Sequence, residues 1–387
     1  MSKELSLYIH IPFCVKKCLY CDFLSAPASV EVQEKYLSKL CEEIRRKAPE
    51  FQEYQVKTIF FGGGTPTAVQ PESLCKVLET LYDHFSVAPD AEISLECNPG
   101  TASLRALQSY RKAGFNRISI GLQSADDGLL RRLGRIHTYE QFLQTFGWAR
   151  EAGFENINVD LMSSLPGQTL EQYEDTLYRV LALKPEHISA YSLIVEEGTP
   201  FASMELDTPS EELDRLMYQR TEEILNAFGY ERYEISNYAL PGRECRHNLV
   251  YWQRGAYLGL GLGASSFYDH TRYKNVSDLS VYLDGERSRE SNEEKTKEYE
   301  EEYEEKEALT PREEMEEFYF LGLRLMRGVS QSAFRAQFGE DAEGQFEGAI
   351  ESSIADGLME RTKDGERLCL TKRGIDLSNA VFVRFLE

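Results

Sequence analysis

The sequence predicts an α/β chain in which helices cover a parallel sheet and a smaller, mostly helical unit follows. Three observations carry that expectation. Short β-rich stretches alternate with helical ones six times before residue 230, a spacing that argues for βαβ units. The alternation stops after residue 230, where aromatic and glycine residues take over. The 387 residues, 42% of them hydrophobic, suffice for one large core and a second, smaller one.

The elements follow in order. "LSLYIHI" is β-rich and alternating, and "EVQEKYLSKLCEEIRRK" has helical spacing. "VKTIFFGGG" is an apolar strand running into glycines. "PESLCKVLETLYDHF" is a helix with Pro71 in its first turn. "EISLECNPG" and "RISIGLQS" are strands on either side of the helix "SLRALQSYRKAG". The helical stretches "DDGLLRRLG" and "TYEQFLQTFGWAREAGF" lead to the strand and loop "NINVDLMSSLPG". The helix "TLEQYEDTLYRVLAL", the sixth strand "HISAYSLIVEEGTP" and the sixth helix "ELDRLMYQRTEEILNAFGY" complete the run. Six units are too few for a closed eight-fold barrel. An incomplete (β/α)6-type barrel and a doubly wound open sheet are the competing arrangements.

This gives a first domain over 1–230 and an aromatic, glycine-rich segment over 231–285 that contains "HNLVYW". Residues 286–309 form an acidic insertion, "ESNEEKTKEYEEEYEEKEA" at its heart, expected to be a solvated helix or disordered. Residues 310–387 read as helices plus a hairpin turning at Asp364-Gly365, a small winged-helix-like domain.

A formal net charge of −22 repels nucleic-acid phosphates and anionic membrane surfaces, so no nucleic-acid partner is expected. The N-terminal "MSKELSLYIHIP" lacks an apolar signal region, and no apolar run is long enough for a membrane span. The expected location is cytoplasmic, where the eight cysteines stay reduced. That turns attention from disulfides to metal or redox chemistry.

Cys14, Cys18 and Cys21 stand in C-x3-C-x2-C spacing, and Cys41, Cys75, Cys97, Cys245 and Cys369 are isolated. Structural zinc sites use four ligands in paired knuckles, and a four-iron cluster ordinarily takes four cysteines. With three thiolates, one iron of such a cluster stays open to another ligand. "GGGTPT", Gly62 to Thr67, ends the second strand where a backbone can approach a ligand closely. Glu96, Gln123 and Asp160 lie at successive strand ends, where parallel barrels build their sites. Arg135, in "LGRIHT", adds a cation.

"CVKKCLYC" preceded by "YIHIPF", with "FFGGGTPT" downstream, resembles the radical SAM superfamily. The resemblance implies an incomplete (β/α)6-type radical SAM barrel. It also implies a [4Fe–4S] cluster on Cys14, Cys18 and Cys21, with S-adenosylmethionine (SAM) chelating the fourth iron. In the superfamily, one electron from the cluster cleaves SAM to a 5′-deoxyadenosyl radical. Tyr20 matches a ring near the adenine, and Gly64 and Thr65 lie in the segment that meets the methionine end. The spacing of Tyr8, Glu96, Gln123, Arg135 and Asp160 is similar to that of the coproporphyrinogen oxidase branch, whose matching positions surround the cofactor. Met162 and Ile194 match apolar positions near adenine more loosely.

Within that branch, the oxygen-independent oxidases carry a fourth cysteine two residues after the third and an N-terminal extension before the first strand. Here Phe23 stands at that position and the first strand begins within ten residues. The "CDF" and "HNLVYW" stretches are similar instead to the branch's heme chaperones. That resemblance implies heme as a third cofactor, with His247 as its axial ligand and Tyr251 and Trp252 beside the porphyrin. Cys245 is a minor alternative ligand, and His10 and His137 read as structural. The implied partners are apo-hemoprotein acceptors, met transiently even where these are membrane proteins, and a homodimer is open. The implied activity is heme delivery, with no residue given a catalytic role. The alternative is oxidative decarboxylation of coproporphyrinogen III.

Overall fold

The computed structural model describes residues 3–284, 303–339 and 344–386. Six strands and their helices follow one another as the alternation predicts. They are β1 (Lys3–Ile11), α1 (Val30–Lys47), β2 (Tyr54–Gly63), α2 (Pro71–His84), β3 (Val87–Cys97), α3 (Leu104–Ala113) and β4 (Arg117–Gln123). Then come α4 (Asp127–Arg132), α5 (Tyr139–Glu151), β5 (Ile157–Ser163), α6 (Leu170–Ala182), β6 (His187–Ser192) and α7 (Glu211–Ala227). Helix starts are set locally. Ser29 caps α1, Pro71 opens α2, and Thr138 with Gln141 and Thr169 with Gln172 form capping boxes on α5 and α6. Such a cap typically contributes about 1 kcal/mol.

β1 to β6 lie side by side in chain order, each parallel to the next. A doubly wound sheet would reverse order at a switch point. The unbroken order, with every crossover on one hand, puts the helices on one face and leaves the other as the lumen of an incomplete barrel. Residues alternate across these faces. Leu7, Ile9, Ile59, Phe61, Ile93, Leu95, Ile118, Ile120, Val159 and Leu161 are buried in the main hydrophobic core. Their neighbours Glu96, Ser119, Gly121, Asn158, Asp160, Ser189 and Tyr191 line a cavity instead. The core side holds the sheet to its helices, and the polar side is free for a ligand.

The chain from β7 (Glu231–Arg232) onward extends this sheet at both edges. β8 (Asn237–Ala239) pairs antiparallel with β6, and β7 pairs with β8. After α8 (Arg246–Trp252), β9 (Tyr257–Leu260) pairs parallel with β1 at the opposite edge. α8 therefore crosses between the two edges of the unclosed barrel. β10 (Ser265–Tyr268) and β11 (Thr271–Asn275) continue outward, followed by α9 (Leu279–Asp284).

The acidic insertion is corrected in part. Its end, β12 (Tyr303–Ala308), is a strand paired with β11, not a solvated helix. An open sheet edge supplies the hydrogen bonds that composition alone cannot reveal. Lys274 meets Glu305, and the Tyr273 and Tyr303 rings lie 4.7 Å apart. Charged residues on such an edge also discourage further pairing. The rest of the tract, up to residue 302, lies outside the described residues.

The last part contains α10 (Pro311–Gly322), β13 (Val329–Ser330), α11 (Gln331–Phe338), α12 (Glu347–Ala355), β14 (Met359–Arg361), β15 (Arg367–Leu370), α13 (Lys372–Asp376) and α14 (Ser378–Val383). Its core is separate, built on Met315, Tyr319, Phe334, Phe346, Leu368 and Phe385. The β14–β15 hairpin turns through Gly365 at φ 73°, as expected of Asp-Gly. Ion pairs, those of Arg254 buried, join this unit to the barrel. Arg254 lies 3.3 Å from Glu314 and 3.0 Å from Glu317, and Arg272 lies 2.5 Å from Glu317.

Candidate functional site

The cysteines sit on the loop that follows β1, at the C-terminal ends of the strands. Backbone bonds fix that loop to the barrel: Gly64 N–H to the Ile11 carbonyl, Thr65 N–H to Phe13, Cys14 N–H to Ala26 and Leu19 N–H to Leu133. The His10 ring adds a hydrogen bond between Nε2 and the Leu24 carbonyl at 2.9 Å, and Nδ1 meets the Tyr8 hydroxyl at 3.1 Å. Glycine is required beneath. A Cβ on Gly64 would lie 2.5 Å from the Phe13 carbonyl oxygen. A Cβ on Gly63, at φ 110°, would lie 2.5 Å from the His10 ring. The glycine triplet thus serves first to seat the cysteine loop.

All three thiols are free and line one cavity. Burial raises the pKa of Cys14 and Cys21, and the neighbouring thiols add to the rise. Gathering three thiolates is therefore unfavourable unless a cation compensates them, which is the usual setting of a metal centre. Among the described residues, no three His, Cys, Asp or Glu side chains come close enough to hold a single metal ion. Three free thiols lining one cavity suit a multi-iron cluster, in which each thiolate bonds its own iron.

Glu96, Gln123, Arg135, Asp160, Gly64, Thr65 and Tyr20 line the same cavity, which measures about 410 Å³. That lies within the range of ligand pockets, roughly 300–1,000 Å³. Asp160 accepts from Ser119 Oγ at 2.9 Å and Asn158 Nδ2 at 2.7 Å. Burial still raises its pKa against those bonds. Glu96 accepts from Gly63 N–H at 3.1 Å, yet burial and the Asp160 charge push its carboxyl up to about 8. A cationic ligand would relieve both carboxyls. Arg135 reaches to 3.7 Å from Cys18 Sγ and bonds the Asn98 side chain and the Gly121 carbonyl. It thereby joins the cysteine loop to the lumen wall. Gln123 holds φ 71° and accepts from the Tyr191 hydroxyl at 3.4 Å.

Other expected residues fall elsewhere. Tyr8 stands behind His10 and does not line the cavity. Met162 is buried beside Tyr20 in a small cluster with Leu129 and Leu165. Ile194 is 69% exposed on the loop after β6. His137 is buried against the Leu122 carbonyl, and burial together with Arg135 lowers its pKa to about 3.

His247 departs most from expectation. It is 1% exposed, with Nδ1 2.7 Å from Thr58 Oγ1 and Nε2 2.8 Å from the Tyr251 hydroxyl. Its ring stacks on Phe60 at 5.1 Å, and burial followed by the Arg117 charge lowers its pKa to about 3. Both ring nitrogens are occupied, so an axial-ligand role requires giving up one of these hydrogen bonds. Tyr251 bonds His247, and the half-buried Trp252 ring lies beneath Arg324 of the C-terminal unit at 4.5 Å. Cys245 is buried beside Glu92 and its thiol is pushed up to about 12, far from a thiolate ligand. The Glu92 carboxylate accepts from the N–H groups of Arg246 and His247 and so anchors the start of α8.

Sequence reading missed Asn98, Arg117, Ser119, Asn158, Ser189 and Tyr191, all on the cavity wall. Their signal was the period of two: Asn158 precedes Asp160, and Arg117 and Ser119 precede Gly121 and Gln123, on the same inward face.

Comparison with known proteins agrees with this arrangement. Residues 8–180 match the radical SAM superfamily, and residues 309–377 match the HemN C-terminal domain. The heme chaperone HemW of Bacillus subtilis is 37% identical over 98% of this chain and 99% of its own. HemW of Lactococcus lactis is 35% identical over 100% of this chain and 98% of its own. HemW of Escherichia coli is 41% identical over 67% of this chain and 69% of its own. Among solved structures, coproporphyrinogen III oxidase (HemN) from Escherichia coli, described as a radical SAM enzyme, superposes with a TM-score of 0.84. It is 26% identical and covers 99% of this chain and 90% of that one.

Proposed function

The chain belongs to the HemW family of heme chaperones within the radical SAM superfamily, and from that premise we propose that it binds a [4Fe–4S] cluster, SAM and heme and passes the heme to apo-hemoproteins. One observation carries the reading. The three free thiols, the polar strand ends Glu96, Gln123 and Asp160, and the loop residue Arg135 face a single cavity of about 410 Å³. Cys14, Cys18 and Cys21 would hold the cluster, and the lumen would hold SAM. When bound, such a cluster supplies an electron at an iron that no protein side chain occupies.

The chain's own residues prepare that place. Tyr8 and His10 hold the cysteine loop in position through the Leu24 carbonyl. Arg135 brings a cation to the thiol side, next to Cys18 and Tyr20. Ser119 and Asn158 aim the Asp160 carboxyl into the cavity. The Glu96 carboxyl is prone to hold its proton until a cation enters.

Heme would dock at the cavity mouth. Val15, Phe23, Ile136, Ile194 and Val195 are large apolar side chains exposed on the loops at this end of the barrel. Such exposed apolar groups suit the face of a porphyrin better than they suit water. Phe23, 63% exposed, also borders the cavity. The HNxxYW residues would serve to seat α8. Among the described residues no helix is long and apolar enough to cross a membrane.

The test is to assay reconstituted protein in parallel for stoichiometric heme binding and for coproporphyrinogen III decarboxylation. Heme binding without turnover is expected, and Phe23→Ser should weaken it. Efficient decarboxylation would instead favour the oxidase reading.

A further inference from the structure

Residues 193–210, which run from β6 to α7, are tied down at three points. Leu193 N–H bonds the Ser163 carbonyl at 3.0 Å, Phe201 N–H bonds the Leu19 carbonyl at 3.0 Å, and Gly167 N–H bonds the Asp207 carbonyl at 2.6 Å. The first and last ties hold the segment to the end of β5 and the loop after it. The middle tie reaches the cysteine loop, between Cys18 and Cys21. It is made where the chain is locally stiff. Pro200 opens a single 3-10 turn over Pro200–Ser203, and the Thr199 hydroxyl just before it bonds the Glu196 carbonyl at 2.7 Å.

The Phe201 ring goes where its N–H goes. It is 2% exposed and belongs to an apolar cluster with Leu129, Leu133, Met162 and Leu165, against which Leu19 and Tyr20 pack. That cluster is separate from the main core. From the other side, the chain after α4 closes on the same residue. Leu19 N–H bonds the Leu133 carbonyl at 3.0 Å, and a Cβ on Gly134, at φ 76°, would lie 2.9 Å from Leu19 Cγ. Within the turn, Cys21 N–H bonds the Cys18 carbonyl at 3.3 Å, which shapes the turn but ties it to nothing outside.

We propose that Phe201 is a positioning residue, which clamps the Cys18–Cys21 turn so that both thiols and the Tyr20 ring keep their places on the cavity wall. All three border the cavity and are half-buried. Ordering such a loop costs conformational entropy that its contacts must offset. The buried ring supplies that contact from outside the cavity, and a site held ready in this way does not have to be ordered by its ligand.

The inference rests on the proposed function, since it takes these thiols as cluster ligands. The test follows iron loss from anaerobically reconstituted protein to a ferrous chelator, in wild type, Phe201→Ala, Phe201→Leu and Phe154→Ala. Phe154 is 1% exposed in the main core, just before β5 and so at the opposite end of the sheet from the cysteines. Phe201→Ala should lose iron about 10-fold faster than wild type, a modest share of the packing removed. Phe201→Leu should recover most of the wild-type rate. Phe154→Ala should keep the wild-type rate while its denaturation midpoint falls. If Phe201→Ala fails to fold, Phe201→Leu is read against Phe154→Leu, and a smaller acceleration is expected at position 201 alone. Any result other than faster loss confined to position 201 overturns the clamp while leaving the proposed function in place. Wild type that takes up no cluster on reconstitution overturns both.

Discussion

The loop that carries Cys14, Cys18 and Cys21 and the helix that carries His247 bound the same lumen from opposite ends. At the loop end the thiols are free and face a cavity, and apolar side chains stand exposed around it. At the helix end the histidine, the tyrosine and the first N–H groups of the helix have partners inside the protein, while the Trp252 Nε1 has none among the described residues. His247 meets Thr58 and Tyr251, and Glu92 meets the first N–H groups of α8. The difference follows from topology. Parallel strands deliver their loops to the C-terminal end, where a site can open. The crossing from β8 to β9 takes α8 over the other end and closes it. A motif rich in His, Tyr and Trp can therefore be a plug, whereas a cysteine motif on a strand-end loop is positioned for ligands.

The largest expected effect sharpens the open end. Cys14→Ala, Cys18→Ala or Cys21→Ala should each abolish iron retention and the visible cluster absorption, because in the proposed reading their thiolates would be the iron ligands. Cys41→Ala, Cys75→Ala and Cys369→Ala should leave both intact. Equal loss from a scattered cysteine would break the distinction.

The sealed end should respond in stability. His247→Ala removes a stacked ring, leaves the Tyr251 hydroxyl without that partner and leaves Thr58 with Ser6 alone. A loss of about 2–4 kcal/mol is expected in denaturant titration. A neutral result would mean that the helix is not held there. Because the folded pKa of about 3 lies below the unfolded value, the neutral ring favours folding above pH 6.5. That contribution declines as pH falls from there toward 3, so wild type should lose more stability than His247→Gln on acidification.

A smaller effect belongs to the hinge between loop and barrel. Gly63→Ala introduces a Cβ against His10 at a positive φ. It should cost about 1–3 kcal/mol, and loosen cluster retention without removing a ligand. Unchanged retention would mean that His10 is not needed to hold the loop.

The smallest effect is a slope. The Glu96 carboxyl is held up to about 8, above its unfolded value. Its protonated form favours folding at low pH, and that stability falls as pH rises through the interval between the two values. Glu96→Gln should flatten the wild-type decline between pH 5 and 8, by at most about 1.4 kcal/mol per pH unit. Parallel profiles for the two proteins would show that the carboxyl is not held neutral.

Much of this was legible in the sequence because it depends on local pattern. Strand–helix alternation gave the six parallel strands, and the cysteine spacing gave the loop. Strand-end polar residues gave Glu96, Gln123 and Asp160. What was not legible depends on partners distant in the chain. His247 is defined by Thr58, 189 residues away. β12 looked like solvated charge because its stability comes from the open edge of β11.

The central claim is that the thiolate end works on ligands and the HNxxYW helix seals the lumen. The most direct measurement is a heme titration of folded His247→Gln, followed at the Soret band beside wild type. The substitution removes the imidazole while retaining hydrogen-bonding capacity. The account predicts the same band position and the same affinity in both proteins. A shifted band, or heme binding lost from a variant that is still folded, would contradict it and return His247 to the heme iron.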